Sequence, residues 1–132
     1  MKIFIGQAVT GEDLNQLYKE MDQIYLSLDK AEHLHYCTLK ENEEEFSKKT
    51  KMQMMEHAFR EIDKSDAFLA IVRSEKRSEG LLIEIGYVIA KKKRFILAIK
   101  KDVKNTYLRD LADEVIEFDN ILELSKNLEE LK

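Results

Sequence analysis

Short apolar runs alternate with amphipathic stretches along the whole chain. Ile3 to Ile5 reads as a strand that ends at Gly6. From Glu12 to Leu28 the apolar residues Leu14, Leu17, Met21, Ile24 and Leu28 recur every three or four positions, which predicts a helix. Thr10 is its expected N-cap, with Asp13 three residues further on. His33 to Leu39 reads as a weaker second strand. Glu41 to Ile62 reads as mainly helical. Glu43, Glu44 and Glu45 precede Lys48 and Lys49 there, a solvated face in the favourable i,i+4 order, and Met52, Met55, Phe59 and Ile62 form the apolar stripe. The unbroken runs Ala67 to Val72 and Arg94 to Ile99 predict strands covered on both faces. Between them lie a charged loop with serines and a helix around Glu84. Tyr107 to Ala112 predicts a short helix, Val115 to Phe118 a last strand, and Ile121 to Leu131 a closing helix.

Five strands alternating with helices predict an α/β domain with a parallel sheet. Right-handed crossovers leave few topologies at this size. The expected fold is a flavodoxin-like three-layer sandwich, with strand order 2-1-3-4-5 and helices on both faces, filling residues 1–132 as one domain. Ligands in such sheets bind beyond the carboxyl ends of the strands, so the loops after Ile5, Val72 and Ile99 are the expected site walls.

Composition narrows the function. Apolar content of 44% supports a real core, and a net charge of -4 argues against a broad basic face for a nucleic-acid polymer. No apolar stretch is long enough for a bilayer and the start lacks a signal-peptide pattern, so no membrane association and a cytoplasmic location are expected. Cys37 is the only cysteine and reads as a small buried residue. His33, His35 and His57 lack a metal-ligand spacing, so no metal and no cofactor are expected.

The chemistry concentrates on one residue. Glu84 is the only charge in the run Leu81 to Ala90. Desolvation disfavours an ionised carboxylate in such surroundings. On a helical wheel centred on Ile85, Leu81, Leu82, Val88 and Ile89 fall within about 60°, forming the stripe that covers the sheet. Glu84 lies at about 100°, on the margin of that stripe and near the strand-end loop. Ile83, Tyr87 and Ala90 form a second apolar face, which predicts a homodimer, or else cover by another helix of the same chain. An acidic residue early in a helix also complements the macrodipole, with no further role.

The segment Ser78 to Tyr87, following the strand Asp66 to Val72, resembles the nucleoside 2-deoxyribosyltransferase family. Its nearer branch is that of the small 2'-deoxynucleoside 5'-phosphate N-hydrolases. Lys2 to Gly6 resembles the family's first strand and glycine turn, and Ala90 to Leu97 its helix end and next strand. The resemblance implies that Glu84 is the nucleophile that attacks the anomeric carbon of a deoxyribose and releases the base. It implies that the ligand is a nucleoside or nucleotide, that Ser78 helps hold a 5'-phosphate, and that Gly80 lets the backbone approach the ligand. Asn105 falls near a serine that the partner subunit contributes to the phosphate site in that branch. Gly6 and Gln7 form the opposite wall.

The chain also departs from this pattern. The family's acidic residue for proton transfer aligns with Ala58, beside Glu56 and His57. An aromatic residue of its first strand aligns with Ile3. The turn from Gly6 to Gly11 carries no cation for a phosphate. Two alternatives therefore stay open: a nucleotide-binding module that has lost its chemistry, and an NAD nucleosidase. The second rests on Lys2 to Asp13, which resembles the start of TIR-type domains.

Overall fold

The computed structural model describes residues 1–38 and 47–132. Five strands make one sheet: β1 (Lys2–Gln7), β2 (Leu34–Tyr36), β3 (Ala67–Val72), β4 (Arg94–Lys100) and β5 (Glu114–Phe118). All neighbours are parallel and the order is β2-β1-β3-β4-β5, as the alternation of elements predicts. The helices are α1 (Leu14–Lys30), α2 (Lys51–Asp63), α3 (Glu79–Ala90), α4 (Leu108–Leu111) and α5 (Ile121–Glu129).

Side chains alternate across a strand, so the sheet has two cores. Ile3, Ile5, Leu69, Ile71, Ile96 and Ala98 face α1 and α5, meeting Met21, Ile24, Leu124 and Leu128. Phe4, Phe68, Ala70, Phe95 and Leu97 face α2 and α3, meeting Ala58, Ile62, Leu81, Ile85 and Val88. Phe4 stacks on Phe68 with centroids 5.5 Å apart, and Phe68 meets Phe95 at 6.3 Å. β3 is buried at every residue because it lies at the centre of both cores.

Several local expectations are corrected. The N-cap of α1 is Asp13, not Thr10: its side chain accepts from the Asn15 and Gln16 amides at 2.9 and 3.4 Å. Gly11 just before it sits at φ +77, the left-handed region that glycine tolerates, so the chain turns later than Thr10. Gly6 is not a turn residue but an interior strand residue paired with Ala70. Helix α2 starts at Lys51, and the expected helical stretch from Glu41 to Phe46 lies outside the described residues. Thr50 and Gln53 form a reciprocal capping box that fixes its first turn. Leu39 and the Glu43, Glu44 and Glu45 run lie outside the described residues. The expected stripe on α2 is rotated as well: Ala58 and Ile62 are its buried residues, while Met52 is exposed.

Candidate active site

β1 runs on to Gln7, but β2 stops at Tyr36, opposite Phe4. A cavity of about 600 Å³ opens where β2 leaves off, at the carboxyl end of β1. Its volume suits a nucleoside-sized ligand. Phe4, Gly6, Gln7, Cys37, Thr38 and Glu84 are among its walls, together with Lys49 just before α2 and Lys51 and Met54 in its first turns.

Glu84 reaches this cavity because α3 packs tightly on β1. Ser78 caps the helix, its Oγ accepting the Leu81 amide at 3.3 Å. Leu81, Ile85 and Val88 form the buried stripe, narrower than expected, since Leu82 and Ile89 are exposed at its flanks. Glu84 follows the stripe edge down onto Gly6. A Cβ on Gly6 would lie 3.2 Å from Glu84 Oε1, 3.0 Å from Leu81 Cδ1 and only 2.5 Å from Phe68 Cζ. Only a glycine allows this approach. Among the described residues Glu84 has no hydrogen-bond or ionic partner. Burial without a partner disfavours the ionised form and pushes its pKa from 4.5 up to about 7.

The other expected site residues divide between two places. Gly6 and Gln7 share the cavity of Glu84. Ser78 and Asn105 instead line a smaller neighbouring cavity of about 40 Å³, with Lys76, Arg77 and Thr106. Two loops build it. Glu75 accepts the backbone amides of Lys104 and Asn105 at 2.7 and 3.1 Å, and Arg77 donates to the Asn105 carbonyl at 3.1 Å. Gly80 stands in neither wall. It is exposed, and a Cβ there would meet nothing within 4 Å.

Two residues that line the cavities escaped the sequence reading. The first is Phe4. Ile3, where the family's aromatic was aligned, points into the opposite core, while Phe4 shares the face of Gly6 and lines the cavity. The period of two along the strand carries this signal. The second is Lys76. The β1–α1 turn has no cation of its own, but Lys76 of the β3–α3 loop lies over Gly11, its Nζ 2.5 Å from where a Cβ would stand. No local pattern in the sequence marks that approach.

Ala58 is buried in the core and offers no proton. Its neighbour His57 is hydrogen-bonded through Nε2 to Tyr36 Oη at 2.6 Å. His33 and His35 are structural. His33 Nε2 bonds the Leu131 carbonyl at 2.7 Å, and His35 bonds Asp29 at 2.9 Å. Among the described residues no cluster of side chains could hold a metal ion, and no helix is long and apolar enough to cross a membrane.

Tyr87 on the second apolar face of α3 is covered by the same chain. Its ring stacks on Phe59 of α2 at 4.0 Å, and its hydroxyl donates to Asp63 at 2.8 Å. Leu82, Ile83 and Ile89 stay exposed at 41%, 51% and 43%.

A parallel flavodoxin-like sheet, with a glutamate that has no partner among the described residues held over Gly6, defines an α/β domain with a carboxylate in a strand-end cleft. The model of the family described as nucleoside 2-deoxyribosyltransferase matches residues 4–124, and the chain belongs to that family. No curated protein matches. Among solved structures, the CMP N-glycosidase of Clostridium botulinum is similar, with TM-score 0.73 and 20% identity over 97% of each chain. A 2-deoxyribosyltransferase of Bacillus psychrosaccharolyticus is similar with TM-score 0.71 and 14% identity, covering 100% of this chain and 93% of that one. A conserved protein of Enterococcus faecalis V583 gives TM-score 0.66 and 17% identity, over 97% of this chain and 96% of the other.

Proposed function

We propose that the protein cleaves the N-glycosidic bond of a deoxynucleoside or its 5'-monophosphate, with Glu84 as nucleophile. The observation that carries this is the unpartnered carboxylate held against Gly6 in a nucleoside-sized cavity. Membership of the nucleoside 2-deoxyribosyltransferase family supports an enzyme acting at that bond.

Breaking the bond from base to C1' builds positive charge on the sugar. A carboxylate in a poorly hydrated wall stabilises that charge strongly because little water screens it. A Glu84 oxygen bonds to C1' as the C1'–N bond breaks, and the bonding pair leaves with the base. Water then attacks C1' and frees the Glu84 carboxylate, its proton passing to the departed base, which completes hydrolysis; a second base in its place completes transfer. Desolvation raises the nucleophile's energy before the sugar charge appears, and the developing cation restores a counter-charge.

The smaller cavity suits a group of a few atoms, such as a 5'-phosphate. Lys76 supplies charge. Ser78 uses its lone pair on Leu81 and keeps its O–H to donate. The exposed Leu82, Ile83 and Ile89 make an apolar patch next to this cavity, since Leu82 also lines it. A second copy of the chain covers that face in this reading, giving a homodimer.

One observation favours a second reading. Ala58 cannot protonate a leaving base, which fits a nucleotide-binding module without chemistry. A panel of deoxynucleosides, their 5'-monophosphates and NAD, followed for free base, separates the readings. Base released from deoxynucleosides or their monophosphates supports the enzyme. Release from NAD alone moves the substrate to a dinucleotide. Saturable binding with no release supports the module.

A further inference from the structure

Among the described residues, two buried polar atoms of side chains that wall the Glu84 cavity have no hydrogen-bond partner. The Gln7 amide has its nitrogen turned to sulfur: Nε2 lies 2.7 Å from Met21 Sδ and 3.6 Å from Cys37 Sγ. The reversed amide would set its oxygen lone pairs against those of Met21 Sδ, the nearer sulfur, which has no proton to give, so the observed orientation is the favoured one. Gln7 Oε1 is left buried with no hydrogen-bond partner. Thr38 Oγ1, in the same cavity wall, is buried and unpartnered too. A buried polar atom left unpaired costs more than an ordinary hydrogen bond gains, and such atoms are rare in native folds unless a site needs them. Both stand beyond the end of β2, on the cavity that Glu84 enters from the other side of Gly6.

We propose that Gln7 and Thr38 read the nucleobase, and that they select bases bearing an exocyclic amine over their keto counterparts. This rests on the cavity being the nucleoside site argued above. Gln7 Oε1 can only accept, so the matching ligand group must donate. An exocyclic amine carries two N–H bonds on one nitrogen that projects past the ring edge. It can satisfy Gln7 and Thr38 together. A keto oxygen in the same place would face Oε1 with like partial charge and leave it unpaired. The ring N–H of a keto pyrimidine does not rescue the fit, because a carbonyl flanks it on either side. A site built to hydrogen-bond one group discriminates strongly against an analogue that lacks it.

Matched pairs isolate this single group: deoxycytidine against deoxyuridine, and deoxyadenosine against deoxyinosine, each with and without a 5'-phosphate. Binding is measured calorimetrically on the full chain carrying Glu84→Gln, so that turnover does not intrude, and kcat/KM is measured on the chain without substitutions. The amino member of at least one pair should be preferred by about tenfold or more. Gln7→Leu, or Thr38→Val should Gln7→Leu not fold, should shrink that preference to about twofold or less. Equal binding within both pairs, a preference that survives both substitutions, or no binding of any of the ligands overturns the inference. An amino preference in binding without any base release upholds it and defeats the N-glycosidase reading instead.

Discussion

Glu84 Oε1 lies 3.2 Å from the place a Cβ on Gly6 would occupy. The carboxylate and the strand backbone are thus in direct contact, with no side chain between them. Gly6→Ala should push Glu84 out of position and strike Phe68, costing about 1–3 kcal/mol of stability as overpacked sites do. Base release should fall by more than stability alone explains. Gly80→Ala provides the contrast. Nothing crowds that position, so the substitution should leave stability unchanged or raise it by up to about 1 kcal/mol. Thermal melts and release rates on both variants check this.

The raised pKa of Glu84 makes a signed prediction about stability. The folded chain holds this proton up to about 7, while the unfolded chain loses it near 4.5. Between those values the folded state binds more protons, so stability falls as pH rises. Glu84→Gln removes the penalty. It should stabilise the protein at pH 8 by up to about 3 kcal/mol and make no difference below pH 4.5. Urea titrations of both forms across that range measure the gap. In the enzyme, kcat/KM should climb with pH as the nucleophile ionises, passing half its maximum at about 7 and levelling off above that.

Lys76 lies over Gly11 and lines the small cavity. If that cavity takes a 5'-phosphate, Lys76→Ala should raise KM for deoxynucleoside monophosphates by about tenfold, the usual worth of a charge-assisted hydrogen bond. KM for the nucleosides without phosphate should stay the same. An equal rise for both would place the phosphate elsewhere.

Ile83 is half exposed on a helix face where Leu82 and Ile89 are exposed as well, with Glu79 one turn before it. Ile83→Lys should convert a dimer to a monomer, read as a halved mass by light scattering. A wild-type chain that is monomeric at high concentration removes the dimer from the account.

The central strands were legible because Ala67 to Val72 and Arg94 to Ile99 are unbroken apolar runs, which only a sheet covered on both faces demands. The helix ends were less legible. Thr10 and Asp13 are both good caps, and the left-handed Gly11 between them decides for Asp13. The start of α2 was not marked by composition; the reciprocal Thr50–Gln53 box fixes it at Lys51. In the site, Glu84 and Gly6 were readable as a lone charge and a strand-end glycine. Phe4 lines the cavity and its neighbour Ile3 does not, because one step along a strand moves a side chain to the other face. Lys76, Thr38 and the separation of Ser78 from Glu84 depend on how distant loops meet, which no spacing encodes.

The most direct measurement is the fate of Glu84 during turnover. The protein is mixed with a deoxynucleoside that it cleaves, quenched in acid within milliseconds, digested and mapped by mass spectrometry. A deoxyribosyl ester on the peptide holding Glu84, together with a loss of base release of at least about a thousandfold in Glu84→Gln, is the predicted result. Base released at an undiminished rate by Glu84→Gln, or an adduct on another residue, would contradict it.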